Sequence, residues 1–188
     1  MTNKPEEDNK VITILGFKNV RIRNITAFLG DFRRKKGEVS AQFFDANQVA
    51  SPEHLYFAAL NAINALKRKT NISNSLAVES LLYASAQRQI RKAVKILGIK
   101  PDSSEIAVLI IAENKRENDA CTRLVSGLVH GERDDSVLEL TDTKIKNIKK
   151  LFNITTREFK TNVKRVGLEK EALIDLVIEH MALLATKS

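Results

Sequence analysis

The sequence predicts a mixed α/β fold, in which a small central β-sheet is surrounded by many helices and the C-terminal section is helical. Short apolar segments rich in β-branched residues alternate along the chain with longer segments whose apolar residues recur at helical spacing. The hydrophobic fraction of 43% is large enough for a packed core. The 188 residues fit one domain. We therefore expect a polar, disordered tail at residues 1–10 and a single α/β domain at residues 11–188.

Three segments are predicted to form the strands of this sheet. Residues 11–17 are apolar and β-branched, and residues 39–44 alternate between apolar and polar side chains. Residues 106–112 form a continuous apolar run between turn residues, a pattern typical of a strand covered on both faces. We expect this third segment at the centre of the sheet.

Local start signals predict the first two helices. Asn24 is placed to cap a short helix that runs into a basic turn at residues 33–37. Ser51 caps the second helix, with Pro52 at its first position and the Glu53 carboxylate near its positive end. The basic residues 67–69 close this second helix, where cations favour the helix dipole.

A third helical stretch is predicted from about residue 74 to residue 97, capped by Asn74 or Ser75 and ended by Gly98. Residues 134–140 are ambiguous between a strand and a loop. Apolar residues at helical spacing then predict the helical C-terminal section, in which Thr155 and Glu158 have the spacing of a capping box. The predicted helices lie near residues 120–128, 145–152, 155–166 and 168–184.

The charge balance indicates an anionic partner. Lys and Arg total 31 against 23 Asp and Glu, which gives a net charge of +8. Nucleic acid, an acidic protein surface and anionic lipid all remain open on this evidence. The single cysteine, Cys121, excludes an intrachain disulfide and favours a reducing compartment. No signal-peptide-like start and no apolar run of membrane-spanning length is present, so we expect a cytoplasmic protein.

The predicted helix at residues 74–97 carries a basic stripe. Arg88, Arg91, Lys92 and Lys95 stand at positions i, i+3, i+4 and i+7, which one face of a continuous helix would present together. The opposite face is expected to pack inward and contains Leu82, Ala86, Ile90, Ala93 and Leu97. The stripe is interpreted either as a phosphate-binding surface or as a solvated helix face. Two further basic clusters, at residues 33–36 and 67–69, leave these readings evenly balanced.

Enzyme signatures are missing from the sequence. The three histidines are widely spaced without a metal-ligand pattern, and the chain has no P-loop, GxGxxG or GxSxG motif. Cys121 lies among apolar residues and is expected to be a buried structural thiol. Asp134 and Asp135 are better interpreted as part of a polar loop than as Mg²⁺ ligands. We therefore predict no catalytic residue, no metal site and no cofactor.

Residues 74–90 read NSLAVESLLYASAQRQI. This stretch resembles the signature region of the small KEOPS subunit that docks on the complex's atypical kinase, the TPRKB family. The resemblance extends in order and spacing over residues 12–184. Two departures stand out: Ala86 occupies a position where the family commonly has Gly, and the polar tail and basic residues 33–37 look like additions. The supporting matches are Asp45-Ala46, His54-Leu55, Ala58, Ala93, Gly98 and residues 134–138.

The resemblance implies a mixed α/β fold without enzyme activity. It further implies docking on the small lobe of the KEOPS kinase-like ATPase, and binding of tRNA, including its 3′ single-stranded end, in a complex that makes threonylcarbamoyladenosine. The residues that match the family motif are Asn74, Ser75, Arg88, Gln89 and Ile90. Helical geometry alone adds Arg91, Lys92 and Lys95 to the predicted RNA-binding set.

Two alternatives differ in class from this reading. The first is a pure protein-interaction module of the kinase, whose basic surface meets an acidic partner without direct RNA binding. The second is an undetected enzyme that uses His130, Asp134 and Asp135. The residues that dock on the kinase are not predicted, although we expect an exposed apolar patch on one of the helical faces.

Overall fold

The computed structural model describes residues 10–163 and 167–186. Their sheet has four antiparallel strands in the order β2-β3-β1-β4. The strands are β1 (Val11–Lys18), β2 (Ser40–Asp45), β3 (Ile106–Ala112) and β4 (Glu132–Arg133). The mixed α/β class and the three predicted strands are confirmed. The fourth strand was not predicted, because two residues are too few to show an alternating pattern.

Eight α-helices surround the sheet within the described residues. Asn24 and Ser51 cap the first two, accepting bonds from the backbone N–H groups of Ala27 and His54. The capping box of Thr155 and Glu158 is also present. The helices are α1 (Ile25–Lys35), α2 (Pro52–Arg68), α3 (Leu76–Ala84), α4 (Ile90–Leu97), α5 (Lys115–Leu128), α6 (Asp142–Leu151), α7 (Thr156–Asn162) and α8 (Glu169–Thr186).

The central strand β3 is buried along its whole length, as its apolar run predicted. Its alternate side chains enter two different cores because successive residues of a strand point to opposite faces. Leu109 and Ile111 pack with α2 and α3, whereas Val108 and Ile110 pack with α1 and α5. A third core joins α6 and α8 and includes Phe152. The helical C-terminal section thus packs beside α2 and α3.

Three predictions about boundaries need comment. Residues 1–9 of the predicted tail lie outside the described residues, while Lys10 is described and pairs with Glu113. Part of the helix predicted at residues 155–166 also lies outside them. The basic residues 33–35 belong to the last turn of α1 rather than to a turn after it.

The prediction of one helix over residues 74–97 is wrong, because α3 ends at Ala84 and α4 begins at Ile90. Ala86 has a φ of 51°, in the left-handed region. The backbone N–H groups of Ala86 and Gln87 donate to the carbonyls of Tyr83 and Leu82 at 2.9 and 3.1 Å. This pattern is a Schellman motif, which ends a helix with one left-handed residue. The apolar spacing continues across the break, so it gave no warning of it.

Candidate nucleic-acid interface

The loop between α3 and α4 forms one wall of a hollow of about 480 Å³. The opposite wall comes from the end of α6 and from α8, which supply Phe152 and His180. A second hollow of about 390 Å³ adjoins the first and shares Lys92 and Leu151 with it. We call the two hollows together the cationic groove. The cations that line it are Arg88, Lys92, Lys95 and Lys100, and no acidic side chain is among its described lining residues.

The predicted RNA-binding residues divide among different surfaces. Arg88, Gln89, Lys92 and Lys95 line the cationic groove. Ser75 and Ile90 line a separate apolar groove, and Asn74 and Arg91 line neither. The prediction that four cations share one face of a continuous helix is therefore wrong. Arg88 lies in the loop before α4, whereas Arg91, Lys92 and Lys95 belong to α4 itself.

The apolar groove has a volume of about 550 Å³ and lies between α1, β2, α3 and α4. Ile90 and Val94, one turn apart on α4, are 45% and 49% exposed there. Arg33 and Lys36 from the end of α1 also line it. The inward packing predicted for Ile90 is wrong, although Leu82, Ala93 and Leu97 are buried as predicted. The break at residues 85–89 changes the rotational phase of α4, so a face counted from α3 does not continue into it.

The loop before α3 is held by a buried carboxylate. Glu79 is 1% exposed and accepts bonds from the backbone N–H groups of Ile72, at 3.1 and 3.2 Å, and Ser73, at 2.7 Å. Ser75 caps α3 by accepting from the N–H of Val78, while Asn74 bonds within the loop to Asn71. Of the two candidate caps, Ser75 is therefore the cap. Sequence reasoning missed Glu79, because its partners lie six and seven residues away in an irregular loop.

Arg68, from the basic cluster at residues 67–69, and Arg88 both influence Tyr83 of α3. Burial raises the pKa of the Tyr83 phenol, and so does the charge of Glu79, while the positive charges of Arg88 and Arg68 oppose this shift. Two arginines from α2 and from the loop therefore act on the same phenol. The cluster at residues 33–36 lies instead beside the apolar groove. None of residues 67–69 lines either groove.

The two carboxylates of the enzyme alternative, Asp134 and Asp135, have structural partners. Asp134 pairs with Lys18 at 2.9 Å, and the bonds from Lys18 and Ser136 lower its pKa to about 2. Asp135 accepts from Arg133 at 2.7 and 2.8 Å and from the N–H of Gly16 at 2.8 Å. These bonds tie β1 to the segment after β4.

The thiol of Cys121 is buried, as predicted, and burial raises its pKa to about 11. A thiol protonated at neutral pH is a poor nucleophile. Among the residues that the structure describes, no group of three or more His, Cys, Asp or Glu side chains is arranged to hold a metal ion. None of the described helices has both the length and the apolar character needed to cross a membrane.

Comparison with known proteins agrees with the resemblance of residues 74–90. The family model described as "Kinase binding protein CGI-121" matches residues 17–185. The regulatory protein Cgi121 of Methanocaldococcus jannaschii is 38% identical over 163 residues, which cover 87% of this chain and 97% of that protein. Because both matches run through nearly the whole chain, it belongs to the CGI-121 family of kinase-binding regulatory proteins, the family of the small KEOPS subunit.

Proposed function

We propose that the protein is a non-catalytic KEOPS subunit that binds tRNA, including its 3′ single-stranded end, and docks on the kinase-like ATPase of the complex. It thereby supports threonylcarbamoyladenosine modification of tRNA. The observation that carries the RNA part of the proposal is the cationic groove, which gathers four cations and no described acidic side chain. Such a surface attracts phosphate groups strongly and in a salt-dependent way.

The groove also offers groups suited to unpaired bases. Gln89 and Asn153 line it and present amide donors and acceptors that can bond base edges. His180, whose Nε2 lies 2.9 Å from a Glu158 carboxylate oxygen, offers a ring held in one orientation. Phosphates would bind Arg88, Lys92 and Lys95, which supplies affinity, while the bases contact the amides. Exposed bases occur at the single-stranded 3′ end and in the loops of a tRNA, and not within its duplex stems. Among these, we propose the 3′ end as the ligand of this groove because the family resemblance implies it.

Charge reversal within the groove tests the RNA part. Lys92→Glu should weaken binding of a tRNA transcript at least tenfold, and the salt dependence of the affinity should become shallower by about one phosphate contact. Arg123→Glu is the matched control, since it makes the same charge change on α5, beyond the opposite face of the sheet. Equal losses in the two variants would mean that net charge alone drives binding.

A transcript that ends at the last base pair of the acceptor stem tests the role of the 3′ end. We expect it to bind the isolated chain more weakly than the full transcript. If the isolated chain binds neither RNA, the alternative of a pure protein-interaction module is favoured. Asn74, Ser75, Ile90 and Arg91 lie outside the cationic groove. We propose peripheral contacts with the body of the tRNA for Asn74 and Arg91 only, because Ser75 and Ile90 line the apolar groove.

We propose that the kinase docks on the apolar groove. Its two half-exposed residues, Ile90 and Val94, form an apolar surface of the kind that marks a protein interface. Val94→Asp should weaken kinase binding in a pull-down or calorimetric assay while leaving tRNA affinity within about threefold. Ile72→Asp is the control, because Ile72 is 38% exposed and lines neither groove. Loss of kinase binding in the control alone would place the interface elsewhere.

A further inference from the structure

The imidazole of His54 lies wholly buried behind the cationic groove. Its Nδ1 is 3.1 Å from the backbone nitrogen of Ala50, and its Nε2 is 2.8 Å from the carbonyl oxygen of Ala84. The N–H of Ala50 can only donate, so Nδ1 must accept. The ring proton is therefore on Nε2, which donates to the Ala84 carbonyl.

This hydrogen bond supplies a donor for a carbonyl at the C-terminal end of α3. The last four carbonyls of a helix have no partner within it and need one from outside. Those of Leu81, Leu82 and Tyr83 accept from backbone N–H groups of residues 85–87. Ala84 supplies the fourth carbonyl, and the donor that reaches it is His54, from the first turn of α2. The loop that carries Arg88 begins at the next residue.

His54 also contacts the opposite wall of the groove. Its ring meets that of Phe152 edge to face, with the ring centroids 5.6 Å apart. Phe152 follows the last residue of α6 and lines the groove. The buried side chain of His54 thus contacts both walls of the groove. It donates a hydrogen bond to the end of α3 in one wall and packs against the Phe152 ring in the other. Its own exposure is zero, so it does not itself touch a ligand in the groove.

We infer that His54 is a positioning residue for RNA binding. It sets the separation of the two groove walls and so places Arg88 and Lys92 to bind phosphates. This inference rests on the proposed RNA-binding function. The ring performs this role in its neutral form, because burial lowers the pKa of His54 to about 4, with the Ala84 bond opposing and the charge of Lys144 adding to that shift.

Two substitutions separate the two hydrogen bonds of the ring. In His54→Gln the terminal amide nitrogen reaches about as far as Nε2 and can still donate to Ala84. In His54→Asn the amide oxygen reaches only the place of Nδ1, so it can accept from Ala50 but leaves Ala84 without a donor. Both variants lose the contact with Phe152. We expect similar decreases in melting temperature, which makes the pair a matched control for stability.

Circular dichroism first establishes that each full-length variant is folded. The affinity of each folded variant for a tRNA transcript is then measured. We expect His54→Asn to weaken binding about tenfold or more and His54→Gln by less than about threefold. In a double-mutant cycle with Arg88→Ala, the Asn variant should add little to the loss caused by Arg88→Ala alone, because His54 acts through the loop that holds Arg88. Equal losses for Gln and Asn, or fully additive losses, would overturn the inference.

Two further measurements separate the outcomes. ¹⁵N NMR of the protein without substitutions should show the ring proton of His54 on Nε2. A proton on Nδ1 would refute the hydrogen bonds assigned to this ring. Hydrogen exchange at Ala86 and Gln87 should accelerate in His54→Asn more than in His54→Gln. Faster exchange with unchanged tRNA affinity would reduce His54 to a structural anchor. If Lys92→Glu, made as a single substitution, also leaves the affinity for tRNA unchanged, the proposed RNA-binding function of the cationic groove fails.

Discussion

Lys144 is a buried cation whose removal should change how stability depends on pH. The residue is 4% exposed, and its Nζ donates to the carbonyl of Val137 at 2.9 Å. Burial lowers the pKa of Lys144 to about 8, although the carboxylates of Glu105 and Asp45 favour its charged form. Lys144→Met keeps most of the side-chain volume and removes the charge. The free energy of unfolding is the quantity to compare between the two proteins.

The sign and size follow from proton linkage. In the unfolded chain the pKa of Lys144 returns to its ordinary value of 10.5, above the folded value of about 8. The unfolded chain therefore binds more protons between these values, and stability rises with pH across that window. At about 1.36 kcal/mol for each tenfold change in proton affinity, the full difference is roughly 3 kcal/mol. About 2.5 kcal/mol of it should be gained between about pH 7 and pH 10.

Urea unfolding followed by circular dichroism measures this effect, because urea leaves ionic strength unchanged. Cys121 acts in the opposite direction, since its raised pKa of about 11 makes stability fall with pH above its ordinary value of 9.0. Both proteins contain Cys121, so its contribution cancels in the difference. The stability of the unmodified protein minus that of Lys144→Met should increase with pH. A difference that stays flat or decreases would refute a buried, destabilised charge at this position.

Three further experiments test the contacts that hold the loops on either side of α3. Ala86→Gly should raise the free energy of unfolding by about 0.5–1 kcal/mol in urea, because relief of the left-handed strain exceeds the added chain entropy; a loss of stability would contradict the assigned strain. Acid titration should destabilise the protein as pH falls from about 6.5 to about 4, where unfolded His54 binds a proton that the folded ring resists, and this component should be missing in His54→Gln. Glu79→Gln should cost about 2 kcal/mol, since its amide nitrogen would face the N–H groups of Ile72 or Ser73, and an unchanged urea midpoint would argue against the bonds described.

Local sequence signals predicted much of the fold. Asn24, Ser51 and Thr155 cap helices as predicted, because a cap bonds a backbone group only two or three residues away. The apolar run at residues 106–112 became the central strand for a similarly direct reason, since a strand covered on both faces needs no polar alternation. These features depend on neighbours along the chain, which a single sequence shows.

The break between α3 and α4 had a weaker signal. No Gly or Pro interrupts residues 74–97, and an alanine in the left-handed region is not visible from composition. The resemblance to a family that commonly has Gly at position 86 was the one indication, because Gly adopts that conformation without strain. The break decides the site, since it moves Arg88 off the helix and rotates Ile90 away from the core.

The sequence by itself determined the fold class, most helix starts, the excess of positive charge and membership of a recognisable family. Only the tertiary structure decided which cations share a groove, that Ile90 lies on a separate apolar surface, and that His54 and Glu79 hold the loops on either side of α3. These facts depend on contacts made around irregular backbone or between residues far apart in the chain, such as His54 with Ala84 and Phe152. Helical or strand periodicity describes one element at a time and does not contain the distances between elements.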